Sequence, residues 1–192
     1  MRKNASTVLV PVLIGVLAVL AVAGCGGSSR PAGPPPDDSS AQFNLTDRAW
    51  LEFMIPMDAQ LLPALDLAAT HSLDPRLRAL AADFASAVHS ELDELRELGG
   101  LAVLPADNPH TGMKMFGLVD PDTLESLRQS PPATFDPALL GVVRDNIGQA
   151  ISLAGSERQA GAHERTTALA AAVAGLRETQ RARLATITGP AS

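Results

Sequence analysis

Between residues 43 and 187 the chain repeats one pattern, an apolar residue at every third or fourth position over stretches of about 25 residues. That is the period of a helix with one buried face. The plainest stretch runs from Asp74 to Leu98, where Leu77, Leu80, Ala81, Phe84, Val88, Leu92 and Leu95 form a single stripe. Asp74 is placed to cap it, Pro75 suits the first turn, and Gly99-Gly100 is expected to stop it. A second stretch spans about Ala162 to Ile187, with Leu169, Val173, Leu176, Leu184 and Ile187 on one face. Thr46 to Thr70 and Pro137 to about Ala160 are also read as helical, and Pro56 and Pro63 are expected to kink or divide the first of them. Gly99 to Pro132 lies between the two halves and holds one short helix candidate, Pro121 to Arg128. With few β-branched runs and no tyrosine, the reading is all-α.

The halves resemble each other. An ungapped offset of 89 carries Asp47 onto Asp136, Leu51 onto Leu140, Gln60 onto Gln149 and Arg76 onto Arg165. It also carries Leu80-Ala81-Ala82 onto Leu169-Ala170-Ala171, and Leu95 onto Leu184. Repeat halves of about 43–98 and 132–187 predict two similar helical hairpins, packed as a ferritin-like four-helix bundle with a long crossover.

Residues before 42 follow other rules. Met1-Arg2-Lys3 leads into an apolar stretch, Val8 to Val22, of signal-peptide length, which closes on Val22-Ala23-Gly24-Cys25. That ending resembles the lipobox of bacterial prolipoproteins, which implies a signal peptide over 1–24 and a diacylglyceryl anchor on Cys25, the only cysteine. Residues 25–41, rich in Pro, Gly and Ser, cannot bury enough apolar surface to form a core and are read as a disordered tether. The expected location is the extracytoplasmic or periplasmic face of the cell membrane, held there by the lipid. Removing residues 1–24 leaves 13 basic against 21 acidic residues, a formal charge of −8, which argues against a nucleic-acid partner. Only Lys3 and Lys114 are lysines in an alanine-rich chain, a composition associated with high-GC genomes such as those of actinobacteria.

Phe43-Asn44, Asp47, Leu51, Met54-Ile55-Pro56 and Gln60 resemble the opening of the secreted, ferritin-like family called domain of unknown function 305, which commonly reads F-N-x-x-D and then M-I-P-H-H-x-Q-A. Leu80-Ala81 with Glu91-Leu92, Gly112-Met113, and Phe135-Asp136 with Leu139-Leu140 resemble its later elements. The resemblance covers roughly residues 43 to 187 and implies the same bundle. Some members of that family resemble copper-handling proteins. Where the resemblance implies paired histidines, this chain has Met57 and Asp58 in the first half and Asn146 and Ile147 in the second. The later glutamate is kept as Glu91 and becomes Gln180 in the second half.

Each helix carries one polar residue on or beside its apolar stripe: Asp58, Glu91, Asn146 and Gln180. They are expected to converge at mid-bundle as a metal-free layer in which the two amides satisfy the two carboxylates. The alternative is metal. Met54 with Met57, and Met113 with Met115 near His110, supply thioether and imidazole groups that suit Cu(I). No Gly-rich phosphate loop, zinc spacing or catalytic triad is present. The expected function is a non-enzymatic, membrane-anchored binding or structural module with no cofactor and with an unknown protein or small-ligand partner. Copper binding or handling in the cell envelope is the alternative.

Overall fold

The computed structural model describes residues 42–108, 110 and 114–188. Cys25, the signal peptide and tether expected over 1–41, and Met113 lie outside the described residues.

Among the described residues five helices follow in order: α1 (Leu45–His71), α2 (Pro75–Leu101), α3 (Pro121–Gln129), α4 (Pro132–Ala160) and α5 (Glu164–Thr188). No strand occurs among the described residues. α1 packs along α2 and α4 along α5, while α1 meets α4 and α2 meets α5 across the hairpins. The chain thus forms an all-α bundle of two hairpins. In the segment between α2 and α4, the short helix α3 lies against α1 and α4. Two apolar clusters fill the interior. One is built around Leu61, Leu65, Phe84, Phe135 and Ile147, and the other around Trp50, Leu51, Met54, Met57, Leu95 and Leu98.

Neither proline divides α1. Pro56 has no N–H to give, which would orphan the carbonyl of Glu52 four residues earlier. The Asn108 side chain donates to that carbonyl at 2.7 Å, so the crossover segment repairs the helix. Gly99-Gly100 does not stop α2 either. A Cβ on Gly99 would lie 3.1 Å from Ile55 Cδ1, so this glycine serves close packing and the helix continues to Leu101. α4 begins a turn and a half earlier than the pattern suggested, with Pro132 in its first turn.

The repeat is visible as geometry. Asp47 accepts from the backbone N–H groups of Ala162 and His163 in the α4–α5 turn, and Asp136 accepts from the N–H of Asp74 in the α1–α2 turn. Those partners obey the same offset of 89, so each hairpin caps the turn of the other.

Gly117 fixes the crossover onto α4. Its φ is +84°, a Cβ there would sit 2.5 Å from Gln149 Cβ, and its carbonyl accepts from Asn146 Nδ2 at 3.1 Å. Gly117→Ala should therefore cost about 1–3 kcal/mol, combining an unfavourable backbone conformation with a clash against backbone and side chain. Urea denaturation reads this directly, and an unchanged midpoint would mean that the crossover is not held in this way.

Candidate functional site

Asp58, Glu91, Asn146 and Gln180 all point inward and all are buried, at 0%, 6%, 0% and 4% exposure. The layer the sequence suggested is assembled differently, because its centre is Arg177. This arginine lies on the inner face of α5 between Val173 and Gln180 and is fully buried. Its Nη2 donates to Asp58 Oδ1 and to Glu91 Oε1, each at 3.0 Å, and its Nη1 approaches Gln180 Oε1 at 3.5 Å. The guanidinium also rests over the ring of Phe84, 4.9 Å from its centroid.

The expected amide-to-carboxylate pairing is therefore not what forms. Asn146 turns its amide to the Gly117 carbonyl in the crossover, and Gln180 meets the arginine rather than a carboxylate. A guanidinium satisfies two carboxylates better than two amides do, since it brings charge as well as donors.

Charge balance follows from the same geometry. Two carboxylates face one cation in a dry interior, so full ionisation would leave an uncompensated buried charge. Burial holds the Asp58 carboxyl well above the usual carboxylate range, the neighbouring Glu91 pushes the same way, and Arg177 opposes both. Asp58 Oδ2 and Glu91 Oε2 receive no N–H donor, and each faces a like-charged neighbour in the dry interior. Burial thus favours the neutral form of Asp58, with Arg177 as the opposing charge.

A second buried carboxyl pair sits at the end of the bundle where α1 and α5 begin and α2 and α4 finish. Asp47 completes a capping box with Asn44, whose N–H donates to Asp47 Oδ2 at 2.6 Å, besides holding the α4–α5 turn. Glu157, also fully buried, lies beside it with neither carboxyl oxygen receiving a donor. Burial, with Asp47 as a hydrogen-bonded and like-charged neighbour, pushes the Glu157 carboxyl up to about 8. At neutral pH burial and the neighbouring Asp47 therefore hold Glu157 mainly in its acid form. The Glu157 side chain folds back over Gly161, where a Cβ would collide with it, and Phe43 stacks on His163 with ring centroids 3.7 Å apart.

Among the described residues, the thioether and imidazole groups that suit Cu(I) are dispersed. Met54 and Met57 are fully buried packing elements beside Leu51 and Leu95. His110 stacks on Phe53 and lies 3.3 Å from Glu52 on the outer side of α1. Met115 lines a surface cleft with Gln60, Lys114 and Leu118. Among the described residues no three His, Cys, Asp or Glu side chains converge as a metal-holding set.

Residues 47–188 match the profile of the family described as domain of unknown function, DUF305. The chain belongs to the DUF305 family.

Solved DUF305 structures share the fold at low identity. One is the crystal structure of a DUF305 protein of Streptomyces coelicolor, presumed to be secreted. It is 17% identical, with a TM-score of 0.65 over 74% of this chain and 89% of that one. Another is a DUF305 fragment from Deinococcus radiodurans, 14% identical, with a TM-score of 0.68 over 76% of this chain and 96% of that one. Comparison with curated proteins finds no match.

Within the DUF305 frame, the two positions of the first expected histidine pair have separate fates here. Met57 is core packing, while Asp58 enters the Arg177 cluster. In the second half Ile147 joins the core and Asn146 anchors the crossover.

Proposed function

We propose that this DUF305 chain is a lipid-anchored protein of the extracytoplasmic face. Its bundle acts as a non-enzymatic binding or structural module, locked at the centre by an internal cation. The observation that carries this reading is Arg177, whose guanidinium engages Asp58 and Glu91 at mid-bundle. A copper ion there would need soft or imidazole donors and would have to displace a buried, bonded cation. The donor set does not fit it: the nearest polar groups are carboxylates and amides already committed to Arg177 or to the crossover.

Metal content of protein purified without chelator, followed by Cu(I) titration against a competing chelator, tests the central reading. The expected result is no tight stoichiometric site. A tight site that disappears in Met113→Leu and Met115→Leu would replace this reading with copper handling.

The anchor has its own test. Val22-Ala23-Gly24-Cys25 supports acylation at Cys25, and no helix among the described residues is long and apolar enough to cross a membrane. Cys25→Ser should abolish acylation and shift the protein from the membrane fraction to an unprocessed or soluble form. Unchanged fractionation and migration would rule out the lipoprotein reading.

A further inference from the structure

Three of the five large apolar side chains exposed among the described residues belong to one end of the bundle: Leu45 at 86%, Val103 at 70% and Leu101 at 37%. Leu45 opens α1, while Leu101 closes α2 and Val103 follows it. Arg48, one turn along α1 from Leu45, donates to the carbonyl of Ala102 and ties the two segments together.

Val103 stands out for a second reason. Its φ is +53°, the left-handed region in which a β-branched residue is strained and where a helix ordinarily ends on glycine or asparagine. An exposed valine held there gains little from folding, and packing within the bundle does not account for it.

The charges at this end differ from those of the molecule as a whole. In the helical turns that meet here, the charges reaching the surface are Arg48, Arg158 and Arg165 against Glu164, with Glu97 one turn back paired to Arg165 at 2.9 Å. The remaining two acids, Asp47 and Glu157, are buried. With Asp107 exposed just past Val103, an acidic protein thus shows a nearly neutral, apolar-tipped end. It is also the end at which the chain enters from Cys25, sixteen intervening residues to Gln42 that span at most about 55 Å when extended.

We propose that this end rests on a phospholipid surface, with Leu45, Leu101 and Val103 entering the headgroup region and the arginines beside phosphates. The proposal rests on the lipid-anchor reading for its geometry. Sixteen residues keep the end within reach of the bilayer, and the anchor supplies the high local concentration that three side chains alone would not.

The test couples the chain beginning at Cys25, through that sole cysteine, to a maleimide lipid in vesicles of phosphatidylethanolamine and phosphatidylglycerol. Hydrogen exchange is compared with the same protein coupled to a hydrophilic bead. Amides of residues 44–48 and 101–104 should exchange roughly tenfold more slowly on vesicles. Leu45→Asp with Val103→Asp should remove the difference. Val103→Gly, which relieves the positive φ and so keeps the fold, should weaken it too. Unchanged exchange, protection centred on Leu73 or Phe116 instead, or protection that appears only at high protein density on the vesicle would each overturn the proposal. Chemical coupling supplies the anchor in this assay. Failure of docking is therefore read separately from failure of acylation in cells, which Cys25→Ser reports.

Discussion

Replacing Arg177 with leucine should lower stability by about 3–5 kcal/mol at neutral pH, a large part of the total for a domain of this size. The loss arises because Asp58 and Glu91 stay behind in a dry interior without their cation. It should shrink on acidification, since protonating both acids removes the uncompensated charge. Arg177→Lys should recover only part of it, because one ammonium cannot reproduce the fork that meets both carboxylates. Glu91→Gln should be nearly neutral. The amide oxygen still accepts from Arg177, and its N–H₂ can donate to the Asp58 Oδ2 that has no donor in the wild type. Removing Arg177, Asp58 and Glu91 together in favour of apolar residues of similar volume should restore most of the stability lost in Arg177→Leu. Urea titrations of these variants at pH 5 and pH 7.5 measure every term. A wild-type midpoint for Arg177→Leu at both values would remove the cluster from any account of the fold.

Stability should fall as pH rises from about 4.5 to about 8, and Glu157 should be a principal cause. Its carboxyl titrates near 8 in the folded protein, raised from the ordinary value of 4.5. In that window the folded state holds a proton that the unfolded state has released, so each unit of rising pH removes up to about 1.4 kcal/mol. The contribution is fully present below pH 4.5 and gone above pH 8. Asp58, also raised, adds a decline of the same sign that begins near pH 3.8. Glu157→Gln keeps the shape and offers Asp47 a permanent donor. It should flatten the Glu157 share of the slope and leave the variant more stable than the wild type at pH 8. Denaturation midpoints at pH 5, 6.5 and 8 decide the matter; parallel curves for the two proteins would show that Glu157 is not the titrating group.

The helices were legible because their apolar stripes are long and regular, and the hairpin repeat because one offset runs through both halves. The boundaries that misled did so through tertiary contacts. Gly99 answers to Ile55, and the carbonyl freed by Pro56 answers to Asn108, fifty-two residues further on. Burial of Asp58, Glu91, Asn146 and Gln180 could be read from phase, whereas their partners could not. Arg177 is hidden in the pattern because Leu176 beside it continues the stripe, yet Leu176 is only half-buried and the arginine takes the interior place. The repeat held the missing signal: the same offset pairs Arg177 with Val88, a fully buried residue of the core. Glu157 was harder to see. It closes α4 at a position where an exposed acid would be unremarkable, and only the fold brings Asp47 against it.

The reciprocal caps on the two turns have a consequence for how the chain comes together. A lone hairpin of α1 and α2 would leave the N–H of Asp74 without Asp136, and a lone hairpin of α4 and α5 would leave those of Ala162 and His163 without Asp47. Arg177 on one hairpin and its two carboxylates on the other extend the same dependence into the centre. Neither half is therefore a self-sufficient folding unit. Pieces cut apart within the crossover would be complementary fragments, each carrying the ends that the other lacks, and their affinity would measure the cooperativity that the intact chain conceals.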